Sequence, residues 1–154
     1  LGYPWGSHFR YDEAILTGDG PSGFAKAVLV AGGTGLMSKV TGIKALRKLL
    51  ARVVPAPGEG PSVADMENGF FEIELRASNP EDPKKDLIAV VTGDRDPGYG
   101  STCKMIAESA VCLAVDDLES AGGFLTPASA MGGLLISRLA EKAGLGFTLK
   151  AAEE

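Results

Sequence analysis

The sequence predicts an α+β protein with a mixed, largely antiparallel sheet and helices packed mainly on one face of it. In residues 69–77, apolar and charged side chains alternate, as they do in a strand with one exposed face. An apolar run at 87–92 follows a short polar connection, so the two strands are expected to pair antiparallel. Two stretches with helical periodicity come next along the chain.

The remaining elements follow from breakers and caps. The predicted order is strand 9–16, a loop at 18–23, an apolar and basic helical segment 24–54, strands 69–77 and 87–92, helices 101–115 and 126–144, and a strand at 147–149. Ser101 is the predicted N-cap of the first of the two later helices, and Thr126 that of the second, with Pro127 at its first position. The first of these helices has an apolar stripe at helical spacing, formed by Cys103, Ile106, Ala107, Ala110, Val111 and Ala114. The second is predicted to bury an apolar side formed by Met131, Leu134, Leu135 and Leu139. Its outward side is predicted to carry Arg138, Glu141 and Lys142.

Length and composition restrict the class of protein. Residues 1–154 fit a single domain, and a chain that begins at Leu1 is expected to be part of a longer one. A net charge of −5 argues against a nucleic-acid partner. Cys103 and Cys112 lie nine residues apart in one predicted helix, hence on opposite faces, and are expected to be free core thiols of an intracellular, cytoplasmic protein. Because the sequence has a single histidine, His8, no metal site is predicted.

The candidate binding site is the loop at residues 93–102, where a buried strand ends and a helix begins. Free N–H groups of that helix, hydroxyls, a guanidinium and a flat aromatic ring would together hold a carboxylate or phosphate. The predicted substrate-binding residues are Asp94, Arg95, Asp96, Tyr99, Ser101 and Thr102. The alternative is a self-satisfied turn in which Asp94 or Asp96 caps backbone N–H groups and pairs with Arg95. Lys104 and Glu108 are predicted to form an exposed ion pair.

Three segments of the chain resemble one family in the same order. They are PAPGEGPS at 55–62 followed by ENGFF at 67–71, GDRDPGYGST at 93–102, and GGFLTPASAMG at 122–132. This pattern resembles the C-terminal region of the saccharopine dehydrogenase-like oxidoreductases, a group that includes trans-acting enoyl reductases. The resemblance implies a substrate-side domain whose partner is an upstream dinucleotide-binding domain, with NAD(P) bound there and not in this chain. It also implies a small-molecule or lipid-like substrate, and a homodimer is among the expected partners. It identifies no catalytic residue, and the arginines that bind saccharopine have no counterpart here.

Residues 24–54 allow two further interpretations. The run at 27–35 resembles a strand and a glycine turn, but Ser38 stands where a dinucleotide fingerprint needs its third glycine or alanine. The basic, amphipathic stretch at 36–54 would instead suit an anionic membrane surface or a partner protein, which makes a non-enzymatic peripheral membrane or assembly module the alternative function. A helix packed on its own domain explains the same pattern.

Overall fold

The computed structural model describes residues 8–50, 52 and 58–151. Contacts divide the chain into two compact units, Leu1–Glu59 and Gly60–Glu154. Each unit is described by itself below. The prediction of a single domain over residues 1–154 stays a prediction.

The first unit is helical. Helix α1 spans Gly20–Thr41 and helix α2 spans Lys44–Leu50, with Gly42 as the C-cap of α1. The predicted strand at 9–16 is wrong, because these residues form no hydrogen-bonded ladder and have irregular backbone. The predicted loop at 18–23 is wrong in its second half, since Pro21 lies in the first turn of α1. The helical segment predicted at 24–54 is interrupted at Gly42 and Ile43, and its residues 51, 53 and 54 lie outside the described residues.

Within the described ranges, every helix falls short of the combined length and apolar character that a membrane span requires.

The second unit contains a three-stranded antiparallel sheet. Strands β1 (Phe71–Ala77), β2 (Leu87–Gly93) and β3 (Leu145–Ala151) lie in the order β1-β2-β3. The predicted antiparallel pairing of the first two is confirmed, with Ile73 opposite Val91. The last strand is longer than the predicted 147–149, because Leu145 pairs with Gly93 at the far end of β2.

Helices connect and cover the sheet. Helix α3 spans Val63–Asn68, a short 3-10 helix spans Pro83–Lys85, and the longer α4 and α5 span Gly100–Val115 and Pro127–Lys142. The predicted cap of α5 is confirmed, since the Thr126 hydroxyl accepts from the Ser129 N–H and the Ser129 side chain accepts from the Thr126 N–H. Helix α5 is interrupted at Gly132, where φ is 49° and ψ is −130°, a conformation that favours glycine.

The core lies between the two long helices and one face of the sheet. Its buried members are Cys112, Met131, Leu135, Leu139, Ala143 and Leu145, and Phe71 and Val91 pack against them from the sheet. These strand residues project from the same face, because paired positions in neighbouring strands share a face. The predicted α+β class with helices mainly on one face of the sheet is therefore confirmed. Leu134, predicted on the apolar side of α5, is 44% exposed.

Helix α4 turns its predicted apolar stripe away from the core. Ile106 is 69% exposed and Cys103 is exposed as well, whereas Ser101 and Cys112 are fully buried. The prediction that both cysteines are core residues is thus right for Cys112 and wrong for Cys103, although their placement on opposite faces is confirmed. An ion-pair network on the inner side of α4 accounts for this orientation.

Arg138 of α5 is the centre of that network. Its Nε lies 2.5 Å and its Nη2 2.8 Å from the two carboxylate oxygens of Asp116, and its Nη1 lies 3.0 Å from Glu108. The prediction that Arg138 faces outward is wrong, since only 15% of its side chain is exposed. This bidentate guanidinium contact holds the pKa of Asp116 at about 2, with a smaller contribution from the Cys112 thiol. The network fixes which face of α4 meets α5.

Candidate functional site

The predicted site loop lies where three elements meet. Residues 94–99 join the end of β2 to the start of α4, so the predicted convergence of a strand end and a helix start is observed. The Asp96 N–H donates to the Met66 carbonyl of α3 at 3.1 Å, and the Asp94 N–H donates to the Gly144 carbonyl at 3.3 Å. The loop is thereby bonded to α3 on one side and to the turn before β3 on the other.

Asp96 holds the loop closed from within. Its carboxylate accepts the N–H groups of Gly98, Tyr99 and Gly100 at 2.8, 3.1 and 2.6 Å. The Gly100 N–H contributes most to lowering the pKa of this carboxyl, and those of Tyr99 and Gly98 add to it. At the start of α4, the N–H groups of Tyr99 and Gly100 are therefore already bonded to the Asp96 carboxylate, and the Ser101 N–H donates to the Asp96 carbonyl at 2.8 Å. They are not free for a ligand, as the anion-site hypothesis assumed.

The predicted N-cap Ser101 has a different position. Tyr99 is the residue at the N-cap of α4 and makes no side-chain cap, because Asp96 supplies the carboxylate from three residues earlier. Ser101 is fully buried, and its hydroxyl donates to the Arg95 carbonyl at 3.0 Å. Thr102 donates in the same way to the Pro97 carbonyl at 2.6 Å. Both hydroxyls thus shape the loop.

Glycines allow the close contacts around this loop. A Cβ on Gly69 would lie 2.5 Å from the Asp96 Cβ, and one on Gly100 would lie 2.8 Å from the Met66 carbonyl oxygen. Gly144, with φ at 73°, lies directly against the Asp94 carboxylate. Two of the segments that carry the family resemblance, 67–71 and 93–102, are therefore in contact with each other.

The charged side chains of the loop form ion pairs with residues of the neighbouring helices. Arg95 lies 3.5 Å from Glu67 of α3, and Lys104 lies 3.0 Å from Asp94. The predicted pair of Lys104 with Glu108 is wrong, because Glu108 binds Arg138 on the inner side of α4. The turn alternative is observed for Asp96 as a cap, but Arg95 pairs with neither Asp94 nor Asp96.

The structure places four of the six predicted site residues in the loop and the other two, Ser101 and Thr102, in the first turn of α4. Asp94, Tyr99 and Thr102 are exposed, Arg95 and Asp96 are half-buried, and Ser101 is fully buried. Sequence reasoning missed Glu67 and Met66, which hold the loop from α3. Glu67 belongs to one of the segments that carry the family resemblance, and Met66 directly precedes it, yet the sequence alone does not predict either contact. The role of the six residues in substrate binding stays a prediction.

The opposite end of α4 carries an apolar pocket of about 420 Å³. Its wall combines Leu113 and Leu118, the loop glycines Gly122 and Gly123, and Leu125 with the first turns of α5 up to Met131. The third resemblance segment, 122–132, therefore lines this pocket.

Residues 27–38 do not have the geometry of a dinucleotide site. They lie inside the continuous helix α1, whereas a dinucleotide fingerprint needs a strand that ends in a glycine turn at a helix N-terminus. Within the described residues, no group of three or more metal-ligating side chains converges. The charged loop therefore presents partly exposed charged side chains and one aromatic ring around a turn that the Asp96 carboxylate closes.

Comparison with known proteins identifies relatives over almost the whole chain. A Mycobacterium tuberculosis protein provisionally named as a trans-acting enoyl reductase is 38% identical over 148 residues, which is 90% of this chain and 34% of the relative. The trans-acting enoyl reductases of Mycobacterium bovis and Mycobacterium ulcerans are 32% and 34% identical, over 89% of this chain and 33% of each relative. This chain is similar to trans-acting enoyl reductases.

The chain spans about a third of the length of these relatives. No family model matches it, and no solved structure matches it either. The predicted resemblance to trans-acting enoyl reductases is therefore supported by the named relatives.

Proposed function

We propose that this chain is the C-terminal, substrate-side part of a nicotinamide-dependent enoyl reductase of the saccharopine dehydrogenase-like type. The observation that carries the proposal is the 38% identity over 90% of the chain with a relative named for enoyl reduction. That match covers 34% of the relative, which leaves about two thirds of its length for the hydride-donating part of the enzyme.

Enoyl reduction adds a hydride and a proton across a carbon–carbon double bond next to a carbonyl group. NAD(P)H supplies the hydride in such enzymes. The geometry of residues 27–38 does not fit this cofactor, so we assign its binding to the other part of the enzyme. This chain's own residues would then bind and orient the acyl substrate, which is small-molecule or lipid-like.

The loop at 93–102 supports a binding role better than a chemical one. The rim formed by this loop and the first turns of α4 carries two partly exposed cations, Arg95 and Lys104, and each pairs with one exposed carboxylate. Such a rim would attract an anionic group of a substrate carrier, while Tyr99 offers a flat apolar contact beside it. The Asp96 cap keeps this rim rigid.

A chimera tests the proposed function. This chain replaces the matched third of the M. tuberculosis relative, and NADPH oxidation is followed with an enoyl thioester as substrate. Turnover above that of the relative truncated before the matched region supports the proposal. A chimera that is folded and binds NADPH but gives no turnover with any enoyl thioester, while the intact relative does, contradicts it.

A further inference from the structure

The outward face of α4 is apolar along its whole length. It consists of Cys103, Ile106, Ala107, Ala110, Leu113 and Ala114. The two charged residues of the helix, Lys104 and Glu108, lie on the inner side and are bound to Asp94 and Arg138. Ile106 and Leu113 are 69% and 57% exposed. A helix that presents its apolar side to water and its charged side to its neighbours needs a partner for that apolar side.

This face continues into the apolar pocket. Leu113 belongs to both, and the pocket adds Leu118, Leu125 and Met131 at the C-terminal end of α4. Phe124 is fully exposed beside it. The unpartnered surface is therefore a strip along α4 that ends in a concave recess.

The size of the strip indicates what kind of partner it fits. A helix of 16 residues is about 24 Å long and about 10 Å wide, so one side of α4 offers roughly 240 Å² in projection. Side chains make the true surface larger than its projection, but even twice this area stays below the ~800 Å² that each partner of a stable dimer buries. It matches the smaller interfaces between domains of one chain, which bury from ~600 Å² in total. Two domains of one chain are held at a high effective concentration by the covalent link between them, so a small interface is enough to keep them associated.

We propose that the outward face of α4 is the docking surface for the rest of the longer enzyme, with Ile106 and Leu113 as its apolar anchors. The length of the relatives supports this occupant, because two thirds of each lies outside the matched region. The inference rests on the proposed function only in taking that remaining part as the partner. It concerns the interface and not the chemistry.

Cys103 provides the test, because it is exposed on this face while Cys112 is buried. The labelling rate of each thiol with a maleimide is measured by mass spectrometry of its peptide, in the chain alone and in the chimera with the M. tuberculosis relative. We expect Cys103 to label at least about tenfold more slowly in the chimera, since the reagent must wait for the domains to separate. Protection of Cys112 in both samples shows that the chain is folded. If Cys112 labels in the chimera, the same rates are measured after the chain is joined to the remainder of the relative through a flexible linker, which keeps the two parts tethered.

Two matched variants locate the interface. Ile106→Lys should restore fast Cys103 labelling in the chimera, whereas Leu149→Lys, at a residue that is 68% exposed on the sheet, should leave it slow. The proposal is overturned if Cys103 labels equally fast in chain and chimera, or if only Leu149→Lys restores the rate. Slow labelling of Cys103 in the chain alone also overturns the proposal. If that rate falls as the protein concentration rises, a second copy of the chain covers the face. If the rate does not depend on concentration, another part of the same chain covers it. None of these readouts needs NADPH or turnover, so failure here is distinct from failure of the proposed function.

Discussion

Arg95 distinguishes a binding role of the charged loop from a structural one. Its single ion pair, with Glu67, is longer and more exposed than the other contacts of the loop. In the chimera, Arg95→Ala is expected to raise KM or lower kcat for the enoyl substrate, because the rim loses one of its two cations. The melting temperature should fall by less than about 2 °C, since exposed ion pairs stabilise proteins little.

Arg76→Ala is the matched control for this prediction. Arg76 also forms an exposed pair, with Glu74 on β1, but lies away from the loop. Its loss should leave both the kinetics and the melting temperature unchanged. A large drop in melting temperature with unchanged kinetics for Arg95→Ala would show that the motif is structural.

Asp116 makes stability depend on pH in the acid range. Its pKa of about 2 lies below the ordinary value of 3.8, so the folded state binds this proton more weakly than the unfolded state does. Its contribution is present above pH 3.8 and is lost as pH falls from about 4 to 2. Asp116→Asn and Arg138→Gln should therefore both lower stability at pH 7 and both flatten the decline of the melting temperature in this window.

Thermal melts between pH 2 and 7 check this expectation. Asp117→Asn is the control, because Asp117 is a neighbouring exposed carboxylate outside the network. An unchanged slope in Asp116→Asn would contradict the assigned cause.

At the level of single residues, the sequence predicted the Thr126 helix cap but not the contacts between different elements. Thr126 was predicted because capping rules involve only neighbouring residues. Ser101 was wrongly predicted as a cap because α4 begins one residue earlier, at Gly100, whose N–H is bound by the Asp96 carboxylate. The position of Asp96 is fixed by its backbone hydrogen bond to Met66 of α3. The six site residues lie close together because they all fall within residues 94–102. Their partners Glu67 and Gly144 depend on the fold.

At the scale of elements, the turn before β3 tests how tightly the loop is held. Gly144 combines a φ of 73° with direct contact to the Asp94 carboxylate. Gly144→Ala is expected to destabilise the chain by about 1–2 kcal/mol in urea unfolding, because alanine is strained at this φ and its Cβ displaces Asp94. Gly133→Ala is the control, since a Cβ there meets nothing within 4 Å. Equal effects of the two substitutions would mean that Asp94 moves aside freely.

The alternative function, a peripheral membrane or assembly module, would depend on the two helices of the first unit. Lys39, Lys44, Arg47 and Lys48 follow one another from the end of α1 into α2, and Phe24 and Leu29 are exposed apolar residues of α1. If they act at a lipid surface, the chain should sediment with anionic vesicles but not with neutral ones, and salt should weaken the binding. Replacing the four cations by glutamine should abolish it. Failure to sediment with either vesicle type at low salt would remove this alternative.

Element types were predictable where a pattern and its partners are both local. The alternation in β1 and the apolar run in β2 predicted a pair that the register confirms. The alternation at 9–16 has the same appearance but no neighbouring strand, and periodicity alone cannot distinguish the two cases. The orientation of α4 was unpredictable for a related reason, since Arg138, which selects its inner face, lies 22 residues beyond Asp116.

For the whole molecule, the decisive question is what the chain lacks without the rest of its relatives. Its charged loop is closed by hydrogen bonds to the Asp96 carboxylate, the chain divides into two compact units, and residues 27–38 lie in a helix where a nucleotide site would need a turn. We therefore expect the 154-residue chain alone to bind neither NADH nor NADPH. The measurement is a titration that follows nicotinamide fluorescence, with the intact M. tuberculosis relative as the positive control. Binding to this chain with a low micromolar Kd, abolished by Gly33→Val, would place the cofactor on α1 and overturn the division of labour proposed above. Binding by the relative and not by the chain is the result that this division requires.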